Sequence, residues 1–233
     1  MPAERPVAVI TGANRGIGLE VGRQLADAGF AAVLGSRSLT AGEAAARRLD
    51  PDGQVVSACQ LDVTDPDSIR AMTAWVEQRY GRADVLVNNA AIHYDTWQHA
   101  SDPDLTTVNE ALDTNLLGAW RTSVALLPLL RRSPHPRIVN VSSEAGSITE
   151  MTGGPPAYSV SKAALNALTR LLAGDLRSHR ILVNAVCPGW TATDMGGGGR
   201  PVPDGAASVT WAALLPDDGP TGTFTRDGHP LPW

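Results

Sequence analysis

A tyrosine and a lysine stand four residues apart in Tyr158-Ser159-Val160-Ser161-Lys162. On a helix that spacing is about one turn, so the two side chains share a face. Lys162 is the single lysine among 19 lysines and arginines. An ammonium is a compact point charge, whereas a guanidinium is a broad planar fork. Beside a phenol, an ammonium favours the phenolate. A free phenol titrates near about 10. Lowered toward neutrality, it gives or takes a proton at working pH. By itself such a pair is common on surface helices; its weight comes from what else the chain carries.

Upstream, the apolar run Ile138–Val141 ends in Ser142 and Ser143. A serine at a strand's carboxyl end donates to a carbonyl oxygen on which negative charge develops. Ser143 is the expected donor, with Ser142 as its rival. Near the start, Thr11-Gly12-Ala13-Asn14-Arg15-Gly16-Ile17-Gly18 lies between a strand-like run and a helix-like one. Glycines there let the backbone turn tightly and approach a pyrophosphate, which rests on the helix N-terminus. An NAD-binding chain carries an acidic residue at the end of its second strand. Here Val33-Leu34-Gly35-Ser36-Arg37 has no carboxylate. Arg37, with Arg15 from the glycine loop, suits a 2′-phosphate instead, so the expected cofactor is NADP(H).

These residues need a frame. Short apolar runs occur at 7–10, 32–34, 55–58, 85–87, 138–141, 181–186 and 223–225. Helical patterns lie between them, near 17–28, 40–49, 66–80, 104–131, 157–178 and 205–214. Strands that are apolar throughout are buried on both faces of a parallel sheet. Strand and helix in rotation give right-handed βαβ units. The expected fold is α/β, a doubly wound parallel seven-stranded sheet of Rossmann type with helices on both faces. It spans one domain, 1–233, with 190–204 as a mobile substrate loop.

Composition narrows the partners. The net charge is −5, which argues against nucleic acid. No apolar run reaches the roughly 20 residues of a membrane helix, and the opening Met1-Pro2-Ala3-Glu4-Arg5-Pro6 is unlike a signal peptide. Cys59 and Cys187 are expected to be reduced thiols in a cytoplasmic protein. The five histidines show no metal-ligand spacing, and no metal is expected. The bias toward Arg, Ala, Gly and Pro suggests a bacterial source.

Taken in order, the glycine loop, Leu61-Asp62-Val63, Asn88-Asn89-Ala90, Asn115, the Ser143/Tyr158/Lys162 set and Cys187-Pro188-Gly189-Trp190-Thr191-Ala192-Thr193 resemble the short-chain dehydrogenase/reductase family over nearly the whole chain. The single-domain, carbonyl-reductase-like branch is the most similar. The resemblance implies that Tyr158 is the general acid of carbonyl reduction and the base of alcohol oxidation, and that Ser143 holds the substrate oxygen. Lys162 would lower the Tyr158 pKa and bond the nicotinamide ribose. Asn115 would support a proton-relaying water. Asp62, beside Val63, would bond the adenine, and Asn89, beside Ala90, would line the adenosine side or brace the central strand. Thr193 and the backbone near Pro188 and Gly189, with Thr191 between, would hold the carboxamide. Two departures stand out: Ala91 replaces the family's usual glycine, and Ser143 and Tyr158 are further apart than is usual.

His93, Glu150 and Trp190 are the candidate substrate contacts, with Tyr94 and Trp97 close by in sequence. The expected function is NADP(H)-dependent interconversion of a small-molecule carbonyl and an alcohol, with reduction favoured, by a homodimer or homotetramer. The alternative is a catalytically silent, dinucleotide-sensing scaffold of the same fold; the intact Ser, Tyr, Lys and Asn argue against it.

Overall fold

The structure, a computed structural model, describes residues 5–92, 94–195 and 197–233. In β1 (Val7–Ile10) every residue is buried. Val7 and Val9 face one core layer, and Ala8 and Ile10 face the other. Successive side chains alternate across a strand, so a run apolar throughout requires cover on both sides. The same division holds along β2 (Ala31–Ser36), where Val33 faces the first layer and Ala32 and Leu34 the second.

With β3 (Val56–Gln60), β4 (Val85–Asn88), β5 (Arg137–Val141), β6 (Leu182–Val186) and β7 (Phe224–Arg226), these strands form a sheet in the order β3-β2-β1-β4-β5-β6-β7. All six pairings among them are parallel. A two-residue β8 (His229–Pro230) adds an antiparallel edge to β7. The expected seven-stranded parallel sheet is present, and β8 extends it. The strand order reverses between β1 and β4, the point at which doubly wound sheets open a crevice at their carboxyl ends.

One face is covered by α1 (Gly16–Asp27), α2 (Leu39–Leu49) and α7 (Val202–Ala213). The other carries α3 (Pro66–Tyr80), α5 (Ala119–Leu130) and α6 (Pro156–Asp175). Local chemistry sets several ends. Asp65 caps α3 by accepting from the Asp67 amide at 2.9 Å, Pro66 fills its first position, and Gly81 closes it with φ 73°, as capping preferences require.

The single helix expected over 104–131 is three segments. α4 (Leu105–Ala111) leads into a π-helical stretch, Leu112–Gly118, and then α5. The three segments follow one another without a break, so the span reads as one helical stretch. α6 ends at Asp175 and is followed by a 3-10 turn, Arg177–His179. α7 begins at Val202, earlier than expected, since Pro203 is tolerated in a first turn. Among the described residues no helix is long and apolar enough to cross a membrane.

Candidate active site

α6 carries Tyr158 and Lys162 on one face, as the spacing predicts. The lysine Nζ lies 5.4 Å from the centroid of the tyrosine ring. Lys162 is only 2% exposed, and its Nζ donates to the Val141 carbonyl at the end of β5 at 2.8 Å. Burial pushes its pKa down to about 8, so it stays mainly protonated at neutral pH. Burial pushes Tyr158 upward, and a hydrogen bond with Ser143 offsets this only in part. Removal from water is the larger influence on the phenol.

The two serines after β5 point to different partners. Ser142 is buried and donates to Asn166 Oδ1 at 2.6 Å. Ser143 bonds with Tyr158 and caps the short turn Glu144–Gly146 by accepting from the Ala145 amide at 3.2 Å. This turn packs tightly on α6: a Cβ at Gly146 would lie 2.7 Å from the Lys162 carbonyl carbon, so glycine alone permits the approach.

Asn115 sits in the π-helical stretch and is buried. Its Nδ2 donates to the Ile92 carbonyl at 3.0 Å and to Ser161 Oγ at 2.9 Å, and its Oδ1 accepts from the Ile92 amide at 2.8 Å. Ser161 donates onward to the Tyr158 carbonyl at 2.7 Å. The side chain of Asn115 thus joins the end of β4 to the turn of α6 that bears the tyrosine.

A cleft of about 560 Å³ opens at the carboxyl ends of the strands. Gly12, Asn14, Arg15, Gly16 and Ile17 form one wall. Gly12 has φ 62°, and a Cβ there would lie 2.9 Å from Ala90 Cα, so the loop is pressed onto the residues after β4. Asn89 braces it, donating from Nδ2 to the Thr11 and Gly12 carbonyls at 2.9 and 3.1 Å. Thr11 Oγ1 reciprocates by accepting from the amides of Asn89 and Ala90. The N-terminus of α1 has no side-chain cap and no acidic residue in its first turn, which leaves its amide end suited to an anion.

Arg37, Asp62 and Val63 line the cleft from the ends of β2 and β3; Asn89 and Ala90, Tyr158 and Lys162, and Pro188 and Thr193 complete it. Burial pushes Asp62 up, yet hydrogen bonds from Thr64 and the Arg37 charge hold it below the usual carboxylate range. A dinucleotide fits this donor set: a glycine cradle, an uncapped helix end, and no carboxylate at the end of β2.

Other expected residues lie elsewhere. Gly18 is buried inside α1. Gly189 abuts the Arg200 and Arg226 side chains. Thr191 is buried and donates inward to the Pro188 and Gly189 carbonyls, so its hydroxyl shapes the loop and does not face the cleft. Ser36, Thr64, Thr114, Ser142 and Met195 also line the cleft, and of the two serines after β5 it is Ser142 that does so.

At the mouth, Trp190 is 52% exposed. Its ring centroid lies 5.4 Å from that of Tyr94, which meets Tyr158 edge to face at 5.2 Å. Glu150 is exposed, with its amide donating to Ser147 Oγ at 3.3 Å. His93 lies outside the described residues. Over 190–204 the segment doubles back, with the Arg200 amide donating to the Trp190 carbonyl at 2.8 Å and the Arg200 guanidinium paired to Asp227. Asp194 crosses the entrance to pair with Arg15 at 2.6 Å, both side chains well exposed.

The sequence pattern of the short chain dehydrogenase family matches residues 6–201. The chain belongs to that family. Carbonyl reductase [NADPH] 1 of Mus musculus is 34% identical over 282 aligned positions covering all of both chains. Short-chain dehydrogenase/reductase 1 of Saponaria officinalis is 35% identical, covering 99% of this chain and 97% of its own. Among solved structures, an NADPH-bound carbonyl reductase from chicken fatty liver superposes with a TM-score of 0.88 at 29% identity, covering 99% of this chain and all of the other. This short-chain dehydrogenase is an oxidoreductase of carbonyl-reductase-like type.

Three further residues build the site of the dehydrogenase. Asp95 receives the first amides of α6, Thr11 Oγ1 pins the residues just after β4, and Gly146 admits the backbone of Lys162. Thr11 adjoins the glycine loop and was within reach of inspection. Asp95 makes its contacts 62 and 63 residues away, and no local pattern announces it.

Proposed function

We propose that this dehydrogenase reduces a ketone or aldehyde with NADPH, with Tyr158 giving the proton. The observation that carries the reading is that Tyr158 and Lys162 share one end of the nucleotide-sized cleft, with Ser143 bonded to Tyr158 beside it. Bound nicotinamide would supply the hydride. Tyr158 Oη would pass its proton to the substrate oxygen, and Ser143 would donate a hydrogen bond to that oxygen as charge gathers on it. The Lys162 ammonium then stabilises the phenolate left behind. Burial keeps the phenol in its proton-bearing form at neutral pH, the form that reduction requires; oxidation of an alcohol begins from the phenolate and meets the raised pKa. Reduction is the working direction where NADPH is the cellular donor.

Arg37 and Arg15 support NADPH over NADH, and so does the cofactor in the printed names of the mouse and chicken relatives. The 190–204 segment serves as the substrate-facing loop of a single domain. Exposed apolar side chains on one side of the helices, Trp120 and Val124 on α5 and Val160 and Leu171 on α6, support a homodimer or homotetramer. Two free buried thiols support a cytoplasmic setting.

Titration with NADPH and NADH, followed by nucleotide fluorescence, tests the reading. NADPH is expected to bind at least about tenfold more tightly, or about 1.4 kcal/mol. Arg37→Ser should remove most of that difference. Equal binding of the two nucleotides by the wild type removes the phosphate-site assignment. Tyr158→Phe should bind NADPH and fail to reduce any ketone that the wild type reduces. If NADPH binds but the wild type reduces no ketone or aldehyde, the dinucleotide-sensing scaffold takes over; if neither nucleotide binds, both readings fall.

A further inference from the structure

Consecutive residues grip Tyr158 at both of its ends. Its backbone amide donates to Asp95 Oδ1 at 3.0 Å, while the Ala157 amide donates to Asp95 Oδ2 at 2.9 Å. Its ring meets the Tyr94 ring edge to face, with centroids 5.2 Å apart and planes at 79°. Tyr94 also touches Trp190 in the loop at the mouth. The phenol is therefore packed on the side of the loop, and its backbone is fixed on the side of β4.

Asp95 is fully buried. A carboxylate out of water needs charge-matched partners. The first amides of a helix provide them, since they carry the positive end of the macrodipole. α6 receives no cap from its own flank, because Pro155 at the N-cap position has no side-chain acceptor. Helix stability alone would be served by a local serine or aspartate there. A cap delivered from after β4 does something more: it fixes where α6 begins relative to the wall of the cleft. The tie continues through Gln98, which donates to Asp95 Oδ2 at 3.1 Å and accepts from the Asp104 amide at 2.6 Å. Asp104 is the N-cap residue of α4, so one buried pair sets the starts of both helices.

We propose that Tyr94 and Asp95 are the positioning residues of the proton donor, Asp95 setting the start of α6 and Tyr94 the attitude of the Tyr158 ring. The inference rests on the reading of Tyr158 as the acid, and its test is built to fail separately. The chain has three tyrosines, Tyr80, Tyr94 and Tyr158, so full-length protein labelled with ¹³C at tyrosine Cζ gives three resonances. Tyr158→Phe identifies the one that matters, and Tyr80, on α3, is the control.

In Asp95→Asn an amino group faces a helix amide that needs an acceptor. The Tyr158 resonance should move or split while that of Tyr80 stays. The kcat for a ketone that the wild type reduces should fall on the order of 10- to 100-fold, with KM and NADPH affinity little changed. Tyr94→Leu, which leaves the cap intact, should displace the same resonance and serves if the Asp95 variant does not fold. A Tyr158 resonance that coincides with wild type in a folded variant overturns the proposal, since the cap would then act on stability alone. Failure of the acid reading would appear elsewhere, as a Tyr158→Phe protein that still turns over.

Discussion

The Nζ of Lys162 lies 5.4 Å from the centroid of the Tyr158 ring and bonds the Val141 carbonyl, not the phenol. The charge is thereby anchored to the end of β5 and acts on the tyrosine through space. Such an arrangement suits the point charge of an ammonium better than a broad, planar guanidinium.

Lys162→Arg should therefore lose activity although it keeps the charge. A fork of five donors does not reproduce one ammonium directed at the Val141 carbonyl. Turnover should drop on the order of 100-fold, with weaker NADPH binding. Steady-state kinetics and nucleotide titration of the purified variant check this; kinetics equal to wild type would show that the site accepts any cation.

The same burial makes stability depend on pH. Lys162 titrates near about 8 in the folded chain, against an ordinary 10.5. Between those values the unfolded chain binds more protons, so wild-type stability rises with pH across this window. Tyr158, raised above its ordinary 10.0, acts in the opposite sense only above that pH. Lys162→Met removes the lysine contribution. The Tm of the variant minus that of wild type should be most favourable to the variant near about pH 7 and should shrink toward about pH 10, tracking up to about 3 kcal/mol. A difference that stays constant over the range would mean that Lys162 keeps its ordinary pKa.

Asn115→Ala should cost stability as well as activity. It leaves the Ile92 amide and carbonyl and one bond of Ser161 without partners. Unmet buried polar groups put the loss at about 2–4 kcal/mol. Urea unfolding measures it directly, and a loss below about 1 kcal/mol would show that water replaces the amide readily.

The apolar surface of α5 and α6 makes a prediction about assembly. Sedimentation velocity on the wild type should give a dimer or tetramer, and Trp120→Glu should shift it toward monomer. Identical sedimentation of the two proteins would place any interface elsewhere.

What was legible in the sequence was local or periodic. The Tyr158–Lys162 spacing, the glycine loop and the seven apolar strands depend on residues within one turn or one strand, and each appears where expected. Features set by long-range packing were hidden. Ser142 and Ser143 are indistinguishable as letters, and only the fold turns one toward Asn166 and the other toward Tyr158. The burial that pushes Tyr158 up comes from elements far apart in the chain. Thr191 belongs to a stretch that resembles the family, yet its hydroxyl turns back on its own loop. Asp95 lies among residues read as substrate-facing, but its carboxylate belongs to a helix that starts sixty-odd residues later.

The ion pair between Arg15 and Asp194 changes how the entrance should be understood. An anion arriving at Arg15 meets a cation already engaged, so binding there is an exchange of partners. Its free energy is the difference between two contacts at an exposed site, where both are weak and both are screened by salt. Selection among nucleotides then falls mainly to Arg37, and the glycine loop gains a second role as a clasp whose other half is the loop at the mouth.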